Sequence, residues 1–153
     1  PALAQQEWIN KRIEEYGHDV RNLLLTGSLI PAQAYYKAQQ LRSMLRQQVL
    51  DSFNQYDALA LPTAGKVAQP IMEDPQITNK ESSSRLGFLF TRIFNLASCP
   101  AISVPCGFDD KDMPVGLQIG ALPRAEGTLF KIAHAYEQAT SWHTVRPAEV
   151  KYA

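Results

Sequence analysis

The side chains from which a reactive centre could be built are few: three histidines (His18, His134, His143), two cysteines and a serine run at Ser82-Ser83-Ser84. Zinc needs three or four converging donors, usually announced by His-x-x-x-His or Cys-x-x-Cys spacing, and neither pattern occurs, so no metal site is expected. His134 falls opposite the Ile132/Tyr136 side of its helical pattern and reads as solvated, and His143, beside Trp142, reads as a tail contact before a general base. Gly65-Lys66 lacks the upstream glycine and following Ser or Thr of a phosphate-binding loop, and no Gly-x-Gly-x-x-Gly is present, so no nucleotide or other cofactor is expected. The Ser82-Ser83-Ser84-Arg85 run has no flanking glycine to free oxyanion-binding amides and no base placed by sequence; a helix-starting cap is the favoured reading over a nucleophile. Cys106, in Pro-Cys-Gly, could stand exposed at a strand end, but nothing supplies its base, and a small buried thiol is favoured. Arg92 sits among Phe90, Ile93 and Phe94. A charge there must be paired, solvent-facing or aimed at a ligand, with the first two readings favoured over the third.

The elements that must hold these residues follow from periodicity and punctuation. Trp8, Ile13 and Tyr16 suggest a short helix over Gln5 to Tyr16, ended by Gly17. Asp19 can cap a second, through Val20, Leu23 and Leu24, closing at Gly27. Pro31 suits the first position of a long helix in which Ala34, Ala38, Leu41, Leu45, Val49 and Phe53 form one face, with Lys37, Arg42, Arg46 and Gln47 mostly elsewhere on the wheel. Asp57 to Leu61 reads as a buried strand stopped by Pro62. Thr63 to Lys80 is a long connection, and Arg85 to Leu96 a helix apolar on more than one side, hence deeply buried. Two strands, Pro100 to Pro105 and Val115 to Gly120, should pair as a hairpin across the polar tip Asp109-Asp110-Lys111-Asp112. A last helix, Glu126 to Thr140, presents Leu129, Ile132, Ala133, Tyr136 and Ala139 on one face. The expected class is α/β: a small mixed sheet, with strands near 57–61, 100–105 and 115–120, covered by helices. Residues 1–153 read as a single domain or a fragment, with 148–153 as a tail.

The chain has 153 residues, 45% of them hydrophobic and 20% charged, enough for one globular core. Fifteen Lys and Arg balance fifteen Asp and Glu. With no net field to draw the chain to phosphate backbones or anionic lipid, neither nucleic acid nor membrane is expected as a partner. Cys99 and Cys106, separated by an extended run, would lie roughly 20 Å apart, beyond the reach of a disulfide, so both should be free thiols, as suits a cytoplasmic location. Starting at Pro1 without an initiator Met or a secretion signal, the chain reads as a fragment or a processed product.

The stretch Asn95-Leu96-Ala97-Ser98-Cys99-Pro100-Ala101-Ile102-Ser103-Val104-Pro105-Cys106-Gly107, followed by Met113-Pro114-Val115-Gly116-Leu117-Gln118-Ile119-Gly120, resembles the C-terminal region of the amidase signature family. Tyr16 to Gly27, Tyr35-Tyr36-Lys37-Ala38 with Arg42, Asp57 to Pro62-Thr63, Ala133 to Glu137, and Trp142-His143 to Arg146-Pro147 look like the same family's segments in the same order. The resemblance implies hydrolysis or transfer at a carboxamide C–N bond by a Ser, cis-Ser, Lys triad, with a Gly/Ser-rich segment forming the oxyanion hole. Those parts belong to the family's N-terminal portion, and nothing here matches them. The chain therefore looks like the C-terminal part of the amidase signature fold: no catalytic residue of its own, scaffold, and one wall of the substrate pocket. Under that reading Phe88, Thr91, Arg92 and Asn95 line the pocket, with the loop from Thr63 to Asp74 as a second lining. Members acting as amidotransferase A subunits carry an Asp three residues before the Thr; Phe88 stands there instead, which argues against that subfamily and for a less polar amide. Expected partners are a small-molecule amide in the full enzyme, the missing N-terminal amidase portion, and a homo-oligomer. The rival is a non-catalytic interaction or assembly module of the same fold.

Overall fold

In the computed structural model, which describes residues 11–68 and 89–146, the chain divides into two units, Pro1–Leu41 and Arg42–Ala153. In the first, the described end of the Gln5 to Tyr16 segment is α-helical at residues 11–12 and tightens into a 3-10 turn, Ile13–Glu15; the rest of that expected helix lies outside the described residues. Helix α1 (His18–Ser28) follows, and the Arg21 guanidinium ties the two by donating to the carbonyls of Glu14 and Tyr16, both at 3.2 Å. Two boundary expectations are corrected here. Gly17, not Asp19, precedes the first turn and its carbonyl accepts from the Arg21 amide at 3.0 Å. Gly27 lies inside the last turn, because the helix continues to Ser28, whose hydroxyl donates back to the Leu25 carbonyl at 2.7 Å.

Helix α2 (Ala32–Ser52) begins where Pro31 predicts, the proline carbonyl accepting from the Tyr35 amide at 3.1 Å. Its expected apolar face is covered only toward the C-terminal end. Leu45 and Val49 are half-buried and Phe53 is buried, whereas Ala34, Ala38 and Leu41 are exposed.

The second unit is built on a three-stranded sheet, ordered β1-β3-β2, of β1 (Leu59–Pro62), β2 (Ala101–Phe108) and β3 (Pro114–Gly120). Both described pairings are antiparallel, not mixed: β3 inserts between the other two and runs against each, with Leu59 opposite Gly120, and Ile102 opposite Ile119. The α/β class and the β2–β3 hairpin stand as expected. The Asp109 carboxylate accepts from the amides of Lys111 at 2.9 Å and Met113 at 2.8 Å, which folds the polar tip back on itself. Pro62 belongs to β1 instead of stopping it, which an edge strand permits because its missing N–H faces no partner. β2 runs on past Pro105 to Phe108 through a bulge between Pro105 and Gly107.

One face of this sheet carries Val104 and Ile119, which pack with Ala121 and with Leu129 and Ala133 of helix α4 (Glu126–Ala139); Ile132 and Tyr136 pack against this core, while Ala139 is exposed. The opposite face takes helix α3 (Leu89–Ala97), whose Phe94 ring lies against Gly120. α3 is not deeply buried throughout. Phe94 and Ala97 are buried, but Leu89 and Leu96 stay exposed because only one side of the helix meets the sheet. The expected start of this helix near Arg85, much of the long connection and the tail 148–153 fall outside the described residues.

Candidate functional site

α3 is a short helix with a demanding end. Its final four carbonyls have no partner within the helix, and each is met from elsewhere. Ser98 takes a left-handed φ of 54°. The Cys99 amide then reaches the Phe94 carbonyl at 3.0 Å and the Ser98 amide the Asn95 carbonyl at 3.3 Å, the pattern of a Schellman cap. The remaining two acceptors are met by arginines of α2: Arg42 Nε donates to Leu96 O at 2.9 Å, and Arg46 donates to Ala97 O. Arg42 also donates to the Ser98 hydroxyl at 2.8 Å, giving a side-chain reason for serine where glycine is the usual choice. On the helix wheel these arginines read as surface groups. They instead place two positive charges at the negative end of α3.

The same helix is fixed to the sheet by Gln118, a buried polar side chain whose Nε2 donates to the Phe90 carbonyl at 3.3 Å. Alternation along β3 puts Gly116, Gln118 and Gly120 on this face. The two glycines are there for clearance. A Cβ at Gly120 would stand 2.1 Å from Phe94 Cε1, and one at Gly116 would stand 2.7 Å from Thr63 Oγ1. Over Gly116, the hydroxyls of Thr63 and Ser103 lie 2.6 Å apart. Beside them, Thr63 to Ala68 and Pro114 to Gly116 enclose a cleft of about 440 Å³, with Lys66 in its wall. One hydroxyl of the pair donates to the other, which leaves one hydrogen and further lone pairs for a bound polar group.

Of the four predicted pocket-wall residues, Phe88 lies outside the described residues. Thr91 and Asn95, one helical turn apart, share a side of α3 and are joined through the Asn95 amide, which donates to the Thr91 carbonyl at 2.8 Å. Thr91 is half-buried, and Arg92 and Asn95 are exposed. None of the three lines the 440 Å³ cleft; the loop beyond Ala68 lies outside the described residues. Gln118 and Ser103 were missed, though polar residues alternating with Leu117 and Ile119, or with Ile102 and Val104, are a signal for a polar second face.

Ser82, Ser83 and Ser84 are outside the described residues. Cys106 is half-buried and its thiol hydrogen goes to the Val115 carbonyl at 3.5 Å, not to a base. Both cysteines are free. Burial pushes the Cys99 thiol above its ordinary 9.0, with Arg46 nearby pulling the other way. His134 is exposed and His143 half-buried in a 3-10 turn, Trp142–Thr144. Among the described residues no group of three or more His, Cys, Asp or Glu gathers as metal ligands, and no helix is long and apolar enough to cross a membrane. The arrangement is one that can bind and orient a polar group.

Comparison with known proteins gives a consistent match. The sequence pattern of the Amidase family fits residues 4–130. The chain is 39% identical over 141 residues to the A subunit of glutamyl-tRNA(Gln) amidotransferase from Halalkalibacterium halodurans, a match that covers 89% of this chain and 28% of the relative. Among solved structures, a crystal structure of an amidase superposes with a TM-score of 0.79 at 22% identity, covering 92% of this chain and 32% of that one. The A subunit of the same amidotransferase from Thermotoga maritima superposes with a TM-score of 0.60 at 33% identity, over 86% of this chain and 29% of that one. The chain thus spans under a third of the length of the relatives it matches. The similarity to these amidotransferase chains covers about nine-tenths of the sequence.

Proposed function

Because the chain belongs to the Amidase family, we propose that it is the C-terminal part of an amidase acting on carboxamide C–N bonds, and that it supplies scaffold and one wall of the substrate pocket. The observation that carries this is the extent of the match: residues 4–130 fit the family, yet the chain accounts for only 28% of a relative's length. In this reading the preceding polypeptide provides a serine that attacks the amide carbonyl, ammonia or an amine leaves, and water releases the acid from the acyl-enzyme. This chain contributes α3, held by Gln118 and closed by Arg42 and Arg46, with Thr91, Arg92 and Asn95 turned to the substrate and Phe88 favouring a less polar amide. Alone it is inactive, since nucleophile, base and oxyanion donors are all supplied from outside. Two free thiols agree with a cytoplasmic location.

A second reading, a non-catalytic assembly module of the same fold, is favoured by the apolar side chains that the first unit leaves in solvent, Leu29 at 80% and Leu23 at 72% among them. Ammonia release from a panel of aliphatic and aromatic amides separates the two. The amidase reading expects turnover only when the chain is extended to the length of its relatives. No turnover in the extended protein favours the module, and turnover by the 153-residue chain alone overturns both.

A further inference from the structure

Gln118 directs its buried amide to a carbonyl that is already satisfied. Phe90 is the second residue of α3, and its carbonyl accepts from the Phe94 amide in the helix's own i to i+4 ladder. Gln118 Nε2 adds a second bond to the same oxygen at 3.3 Å. The side chain that makes this bond is only 6% exposed. For burial alone an apolar residue of the same length would serve, with no amide to satisfy. What the amide adds is direction.

α3 rests on the sheet at two points one turn apart: the Phe90 carbonyl meets Gln118, and the Phe94 ring lies against Gly120. On this face of β3, Gln118 stands between Gly116 and Gly120, so it is the one side chain of that stretch with reach to the helix. Arg42 and Arg46 hold the C-terminal carbonyls of α3. Toward its N-terminal end, among the described residues, Gln118 is the side chain from outside that bonds to its backbone. Thr91 and Asn95 follow Phe90 and Phe94 by one position each, about 100° further round the axis. Their tips lie roughly 5–6 Å from that axis, so a turn of α3 by about 10° moves them by about 1 Å.

We infer that Gln118 is a positioning residue for the amidase reaction: its bond to the Phe90 carbonyl sets the rotation of α3, and with it the aim of Thr91 and Asn95. The inference rests on the amidase reading, in which those two side chains face the substrate. Gln118 acts through the helix and touches no substrate. It thereby makes a buried residue of the sheet a determinant of how tightly the amide is held, since a displacement of about 1 Å at a positioning group can change rates by about a hundredfold.

The test uses the protein extended to the length of its relatives, with Gln118→Met, which keeps length and burial but cannot donate. For the amide that the wild-type protein turns over best, KM should rise about tenfold while kcat stays within about twofold. A merely structural loss does the reverse, lowering apparent kcat through a smaller folded fraction at unchanged KM. With Thr91→Ala and Asn95→Ala already in place, Gln118→Met should have no further effect on KM, because its route to the substrate is gone. A KM that Gln118→Met leaves unmoved, or a rise undiminished in that background, overturns the inference. Alkylation by iodoacetamide, located by peptide mass, reads the helix without turnover. In a Thr91→Cys variant, Gln118→Met should speed modification at residue 91, half-buried in the native chain, several-fold relative to Cys106, whose half-buried thiol on β2 reports opening of the sheet. Equal acceleration at both thiols means general loosening and also overturns the inference. Absence of turnover in the extended wild-type protein defeats the amidase reading instead, and the alkylation result still decides whether Gln118 sets the rotation of α3.

Discussion

Gly120 and Cys99 show how single atoms decide tolerance on the α3 side of the sheet. A methyl at residue 120 would stand 2.1 Å from a carbon of the Phe94 ring, and that ring is buried on all sides. Gly120→Ala should therefore cost about 1–3 kcal/mol in a urea melt through overpacking. Shortening the opposing ring with Phe94→Leu should make the double variant more stable than the sum of the two single losses, because the substitutions share one contact. At Cys99 the effect is one of charge. Burial raises the thiol above its ordinary 9.0, more than Arg46 offsets it, so the folded state holds this proton more tightly than the unfolded chain does. The thiol's contribution to stability is complete below its unfolded value and is lost as pH rises through the higher folded one. Unfolding free energy measured from pH 7 to 10 should fall at the alkaline end, and Cys99→Ala should flatten that fall.

At the scale of elements, α3 depends on what meets its C-terminal carbonyls more than on its own nine residues. Ala97 is fully buried, so Arg46→Ala leaves its carbonyl with only the weak bond from the Cys99 thiol at 3.8 Å and should cost about 1–3 kcal/mol. Arg42 works at an exposed position, and Arg42→Ala should cost less, about 0.5–1.5 kcal/mol. Ser98 separates two contributions. Ser98→Ala loses the bond from Arg42 and keeps the left-handed strain, whereas Ser98→Gly loses the bond but relieves the strain, so the glycine variant should be the more stable of the two. Equal melting of both would show that the Arg42–Ser98 bond and the strain at residue 98 are not what sets the cap. This end of α3 also marks how far the sequence could be read. The hairpin, α2 from Pro31 and the Leu129–Tyr136 face of α4 follow from period and punctuation, because each is a local pattern. The helix wheel assigns Arg42 and Arg46 to solvent for the same local reason: it contains no information about a helix end more than 50 residues away in the chain. Thr91 and Asn95 were singled out only through the family resemblance; alternation marks Gln118 and Ser103 as polar-face residues, but only the strand register brings Ser103 against the Thr63 hydroxyl.

For the whole molecule, the decisive imbalance is between what the chain buries and what it leaves in water. The first unit buries Leu24 but exposes Leu23, Leu29, Ile30, Tyr35, Tyr36 and Leu41, each more than half open. Scattered apolar residues are ordinary on a protein surface; six within 19 positions of one short unit are enough to drive association. Light scattering on the isolated chain should therefore show self-association that rises with protein concentration. Leu29→Lys together with Tyr36→Lys should reduce it, since two charges must then be desolvated for the same contact to form. Extension to the length of the relatives should also reduce it, because under the amidase reading these side chains are covered by the same polypeptide and not by a second copy. Association that persists unchanged in the extended protein would instead favour the assembly module, and a chain that stays monomeric at high concentration would count against an exposed docking face under either reading.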